Sequence, residues 1–187
     1  MPAIMNLRSA LDGPDFYPTP AWAVEALCDL INIDGDVLEP CCGMGHMSET
    51  LKRRGLRVQS SDLHDRGYGD VGVDARAISG RHDNIITNPP FAIATDLLSP
   101  FIGAARKKVC LLLRMSFLES RRRYPLFEQA PPSEVLVFSE RLSMAPHGKE
   151  VNGGGTISYA WFVWNIEGMG ETKLRWIPPG YKRRGLE

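Results

Sequence analysis

The chain has 187 residues, 43% hydrophobic and 24% charged, the length of one domain with enough apolar material for a real core. Its 14 Pro and 18 Gly fall short of a disordered or collagen-like composition, and no apolar run approaches the roughly 20 residues of a membrane span. Net charge is zero, yet residues 1–105 hold 8 Lys+Arg against 14 Asp+Glu and residues 106–187 hold 14 against 8; the acidic front suits a cationic small ligand and the basic back a polyanion.

The first 14 residues read as an arm closed by Gly13-Pro14, and their lack of an apolar stretch predicts a cytoplasmic protein. In DFYPTP each residue before a proline is pushed out of the helical region, so the segment is extended. Thr19 then reads as a helix cap, with Pro20 at the first helical position. The helix AWAVEALCDLI leads to a short buried strand, DVLEP, and a second helix, HMSETLKRRG, ends at Gly55. A strand LRVQSSD, a weaker strand near DVGVD and an apolar strand HDNIITNPP follow. Next come a helical ATDLLSPFIGAARKK with Pro100 as a break or kink point, and a central strand, VCLLLRM. LESRRRYPLFEQ reads as a helix interrupted near Pro125, SEVLVFS as a strand, and MAPHGKEVNGGGT as a long loop. In the final strand ISYAWFVWNI, Trp161 and Trp164 point to opposite faces, which predicts one in the core and one beneath a surface tail at 166–187.

Strands alternating with helices predict one α/β domain over 1–187, a Rossmann-like, doubly wound, mostly parallel sheet. The last strand follows another strand with no helix between, so it is expected to enter antiparallel. Cys28, Cys41, Cys42 and Cys110 form no CxxC pair, and His46, His64, His82 and His147 lie far apart. Neither a disulfide framework nor a metal site is expected.

The first strand–turn–helix, VLEPCCGMGHMSETL, puts Gly43 and Gly45 where the backbone can approach a ligand without a side chain in the way. Ser48 stands where a dinucleotide turn carries its third glycine, and the Glu39 carboxylate would repel a phosphate. A cationic ligand without phosphates fits better, and S-adenosylmethionine, with its sulfonium and amino group, is the candidate. Asp62 ends the second strand, where a carboxylate can bind ribose hydroxyls. Asp74 closes the third, where it or its neighbours can meet the adenine.

IITNPPF is the sharpest feature: Asn88, Pro89, Pro90 and Phe91 follow directly on an apolar strand. In an open α/β sheet that strand end lies over the ligand crevice, and two prolines stiffen the turn. An aromatic amine is a poor nucleophile because its lone pair is delocalised into the ring. Two neutral acceptors, the Asn88 amide and the Pro89 carbonyl, can hold its N–H groups and draw the nitrogen toward a tetrahedral shape for in-line attack on a methyl group. Phe91 can stack on an extruded base.

LEPCCGMG, SDL and TNPPF, in this order, resemble the motifs of class I S-adenosylmethionine-dependent amino-methyltransferases. With DFYPTP upstream and LLLRMSFLESRRR and YAWFVW downstream, residues 16–177 resemble the small phage- and prophage-type DNA adenine N6-methyltransferases. The resemblance implies a seven-stranded sheet with a reversed last hairpin. It implies Glu39, Gly43, Gly45 and Asp62 as cofactor residues, with Tyr17 and Thr19 closing over the cofactor, and the 88–91 turn as the holder of the target amine; Cys41, Leu63, Asp74 and Asn88 are the further cofactor candidates. Two departures stand out. Phe91 replaces the tyrosine of many DNA adenine enzymes and is also common in RNA guanine-N2 and adenine enzymes, and no long segment remains for a separate target-recognition domain. DNA is the expected partner. RNA base amines, a protein glutamine (release-factor methyltransferases have a similar turn) and a non-catalytic cofactor-binding module are the alternatives. Arg114, Arg121, Arg122, Arg123, His147 and Lys149 are the candidate nucleic-acid contacts.

Overall fold

A computed structural model describes residues 17–144, 157–168 and 170–184. In chain order it comprises α1 (Ala21–Leu30), β1 (Asp36–Glu39), α2 (His46–Arg53), β2 (Arg57–Asp62), the two-residue β3 (Asp70–Val71) and β4 (His82–Thr87). There follow α3 (Ala94–Ala104), β5 (Ala105–Arg114), α4 (Tyr124–Gln129), β6 (Glu134–Phe138), β7 (Tyr159–Asn165), β8 (Lys173–Ile177) and α5 (Tyr181–Arg184). The strands make one sheet in the order β3-β2-β1-β4-β5-β7-β6-β8. All pairings are parallel except those of β7, which runs antiparallel to both β5 and β6.

The sheet therefore has eight strands, not seven. The added one, β8, lies within the segment read as a surface tail and pairs with β6. Its pattern hides it: Lys173, Leu174 and Trp176 are exposed and only Ile177 is buried. The antiparallel strand is the second last in sequence and sits inside the sheet.

Helix α1 starts one residue late, at Ala21, with Pro20 as its N-cap and no side-chain cap bond; the Thr19 hydroxyl is engaged elsewhere. Pro100 does not end α3, which runs through it. Pro125 opens α4 instead of interrupting a longer helix, because a residue without an N–H is best placed in a helix's first turn. Residues 121–123 form a turn.

Two apolar layers sandwich the sheet. One packs α1, α2 and α5 through Trp22, Leu27, Met47, Leu51 and Tyr181, and the other packs α3 through Leu97, Leu98 and Phe101. Trp161 and Trp164 do point to opposite faces, but both are fully buried in these layers. Their indole N–H groups donate to Ala23 O at 2.8 Å and Ala130 O at 3.0 Å. Burying one such ring removes about 150–250 Å² from water, on the order of 4–6 kcal/mol by area. Among the described residues no helix is long and apolar enough to cross a membrane.

Strand order positions the functional cleft. From β1 the chain winds outward to β2 and β3, then returns to the other side of β1 as β4. Connections leave β1 and β4 in opposite directions, so a crevice opens over their carboxyl ends.

Candidate active site

That crevice is a cleft of about 300 Å³, at the small end of the range for ligand pockets. Glu39 closes β1, Asp62 closes β2, and Asn88 follows directly on β4. These three neighbouring strands bring all three side chains to the cleft wall.

The glycine turn is bonded inward. Gly43, at φ 55°, donates its N–H to Asp62 Oδ2 at 2.9 Å. The Cys42 N–H goes to Ser61 O at 3.0 Å and the Gly45 N–H to Cys42 O at 2.8 Å. A pyrophosphate would need such N–H groups free, and these three are taken. Asp62 also accepts from the His64 N–H at 2.8 Å, which fixes its carboxylate by a backbone bond on each oxygen.

Gly45 does not line the cleft. It has φ 81°, and a Cβ there would lie 2.5 Å from the Tyr68 ring. Its absent side chain makes room for Tyr68, whose hydroxyl donates to Glu49 Oε1 at 2.5 Å.

Ser48, fully buried, donates its hydroxyl to Glu39 Oε2 and meets the Ser60 hydroxyl at 2.6 Å. The residue in the third glycine position thus serves the carboxyl. Burial pushes Glu39 up to about 8, with Asp62 adding to the effect and the Ser48 hydroxyl opposing it. The folded pKa is above the unfolded one, so the fold holds a proton that the unfolded chain releases near pH 4. The stability linked to it is complete below that value and is lost as pH rises through about 8. Denaturant unfolding between about pH 5 and pH 8 should show stability falling with pH, and Glu39→Gln should flatten that slope. An equal slope in both proteins would assign the proton to another group.

Asp74 lines the cleft but is engaged: it accepts the Arg76 N–H at 2.9 Å and pairs with the Arg76 guanidinium at 2.7 Å. That guanidinium holds its carboxyl down to about 2. Cys41 lines the wall with its thiol pushed well up by burial. Leu63, 49% exposed, stands at the rim.

The 88–91 turn faces the cleft through Asn88 and Pro90. Asn88 Nδ2 donates to Tyr17 O at 3.1 Å and Thr19 Oγ1 at 3.2 Å, and lies 3.6 Å from Met144 Sδ. A carbonyl only accepts, so Tyr17 O fixes which way the amide faces. Asn88 Oδ1 is then left buried without a hydrogen-bond partner among the described residues. Pro90 O closes the turn by accepting from Ile93 N–H at 3.1 Å. Among the described residues no donor reaches Pro89 O. Pro89 itself is buried, and Phe91 is half-buried between Tyr17 and Tyr159.

Comparison with known proteins gives the architecture a name. No family model matches the chain, and no curated protein matches it in sequence. Solved structures do. A modification subunit assigned to a type I restriction enzyme of Vibrio vulnificus superposes with a TM-score of 0.61 at 15% identity over 95% of this chain and 50% of the subunit. The chain thus spans half of that subunit's length. A protein of Listeria monocytogenes assigned to the class I S-adenosylmethionine-dependent methyltransferases gives 0.63 at 11% identity, over 96% of this chain and 73% of the other. One of Pyrococcus horikoshii assigned as an RNA methyltransferase gives 0.61 at 17%, over 87% and 98%.

The fold is the class I methyltransferase fold.

Within the class I fold, the cleft also takes in His46, Arg66 and Arg76, which sequence patterns did not single out. They sit on the α2 start and on loops after β2 and β3, where no periodicity marks them. The arginines proposed as phosphate contacts are dispersed. Arg123 turns inward to the carbonyls of Phe117 at 2.7 Å, Ser116 at 2.8 Å and Glu119 at 2.9 Å, so it holds its own loop together. Arg122 is exposed, 3.9 Å from Asp96, a contact worth little in water. Arg121 is exposed. Arg114 lies against Phe91. His147, Lys149 and the Gly153-Gly154-Gly155 run fall outside the described residues, as does the 1–14 arm.

Proposed function

We propose that this chain, as one domain, is an S-adenosylmethionine-dependent methyltransferase that acts on the exocyclic N6 amine of adenine in DNA. One observation carries the reading. An amide oxygen, Asn88 Oδ1, is held at the cleft by a backbone anchor on its own nitrogen and has no partner of its own among the described residues. Leaving a buried acceptor unmade costs about 1–3 kcal/mol, and a substrate N–H would recover it.

The cleft fits the cofactor. The Cys42, Gly43 and Gly45 N–H groups of its glycine turn are already bonded, while Asp62 can meet hydroxyl and cationic groups and Glu39, which holds its proton at neutral pH, can exchange a hydrogen bond. Leu63 and Ile93 supply apolar contact for an adenosyl moiety. S-adenosylmethionine, when bound, supplies the electrophilic methyl group.

The chain's own residues activate the amine. Asn88 Oδ1 accepts one N–H and Pro89 O the other, which favours a tetrahedral nitrogen with its lone pair freed from the ring. The geometry is preorganised, because Tyr17 and Thr19 hold the Asn88 amide before substrate arrives, and such positioning supplies most of the rate. No strong base is required, since the nitrogen becomes acidic only after it is methylated.

The restriction-modification subunit among the structural neighbours supports DNA. An RNA base amine is the second reading, favoured by phenylalanine at position 91. The chain should be incubated with methyl-labelled cofactor and separate DNA, RNA and protein pools, followed by nucleoside analysis. Label in N6-methyladenine from DNA is the expected result. Label confined to RNA or to glutamine would move the substrate, and no label in any pool would remove the reading.

A further inference from the structure

Strand β5 ends at Arg114, beside β4 and the turn that β4 carries. Arg114 Cζ lies 4.5 Å from the centroid of the Phe91 ring. A guanidinium thus covers one face of the ring expected to stack on the target base. Tyr17 and Tyr159 flank the same ring, with centroids at 6.1 Å and 5.9 Å.

A cation partly withdrawn from water needs compensation. Arg114 is half-buried, and among the described residues no carboxylate pairs with it. Its Nε is sealed from solvent and has no hydrogen-bond partner there. The groups that do meet it are the Phe91 face and the Tyr159 phenol. Neither carries a charge at neutral pH. Arg123, the other stacked arginine of this region, differs: it lies 4.8 Å over Phe117 and is satisfied by three carbonyls. Stacking uses the flat face of a guanidinium, and with Nε sealed from solvent the terminal Nη N–H groups remain to meet the oxygens of a phosphate.

We propose that Arg114 anchors a phosphodiester of the strand that carries the target base, so that the substrate of this site is a nucleic acid and not a protein amide. The inference rests on the methyltransferase reading for the identity of the base-holding turn. It adds the means by which the substrate class is selected. The Arg114–Phe91 contact couples the two functions: the ring braces the cation beside the turn that holds the base.

The test is anisotropy of a labelled, adenine-containing oligodeoxynucleotide with the wild-type chain, Arg114→Gln and Arg114→Lys, over about 50–200 mM KCl. Arg114→Gln should bind about tenfold more weakly at low salt, with a log Kd against log salt slope shallower by about 0.7–0.9, the contribution of one phosphate. Arg114→Lys keeps the charge and should keep the slope. Equal thermal shifts with S-adenosylmethionine in all three proteins would show that the cleft is intact. A slope unchanged in Arg114→Gln would overturn the anchor, whatever its affinity. So would efficient methylation of a glutamine peptide by a wild-type chain that does not bind the oligonucleotide. The two readings fail separately. Arg114-dependent DNA binding without methyl transfer refutes the methyltransferase and leaves the anchor, whereas DNA methylation with an Arg114-independent slope does the reverse.

Discussion

Asn88→Ala is expected to bind S-adenosylmethionine about as well as the wild type and to transfer methyl groups at least about 10²–10³-fold more slowly, the scale of losing one preorganised hydrogen-bonding group from a reacting centre. The side chain is removed from a position where its nitrogen is anchored and its oxygen is spare, so the loss falls on the spare oxygen's role. Single-turnover transfer alongside calorimetric cofactor binding measures both quantities. Because the substitution also releases Tyr17 O and Thr19 Oγ1, a modest drop in melting temperature is expected. Transfer at the wild-type rate would reject the assignment of Asn88 to the amine.

Asp62→Ala is expected to strike the cofactor side instead. It takes away the acceptor of two backbone N–H groups, from Gly43 and His64, and leaving the buried Gly43 donor unpaired costs about 1–3 kcal/mol. The glycine turn and the loop after β2 then lose their common support, and cofactor affinity should fall at least about tenfold together with the stability of the free protein. Asp62→Asn separates the two causes. It removes the charge and retains one acceptor oxygen, so it should recover part of the stability and less of the affinity. Calorimetry showing unchanged affinity in Asp62→Ala would remove the residue from the site.

Much of this architecture is legible in the sequence because the signals are local. Glu39, Asp62 and the 88–91 turn each stand at or directly after the end of a short strand, and parallel strands in a doubly wound sheet end on the same side. Gly45 is different. Its position in the turn reads as ligand approach, whereas its missing side chain accommodates Tyr68, a residue more than twenty positions away. Ser48 is the converse case. Read as a missing glycine, it supplies the hydroxyl bound to Glu39. Thr19 has the residue type of a helix cap, and a long-range amide takes its hydroxyl. Arg121, Arg122 and Arg123 form a basic run in sequence, but the turn that carries them directs Arg123 into its own carbonyls. Strand β8 escaped detection because an edge strand with one buried residue shows no alternation to read. For Gly45 and Thr19 the deciding contact comes from a distant part of the chain.

The strap that steadies Asn88 is mounted on α1, and α1 is gripped by late-synthesised residues. Trp161 bonds Ala23 O, Arg175 reaches Leu30 O at 3.4 Å, and the Tyr181 hydroxyl meets Asp29 Oδ2 at 3.2 Å. A nascent chain still holding residues 159–184 within the ribosome therefore has the whole 88–91 turn already translated but lacks the clamp for the helix behind its strap. The support of the reacting turn thus depends on contacts that span 138 to 152 positions of sequence.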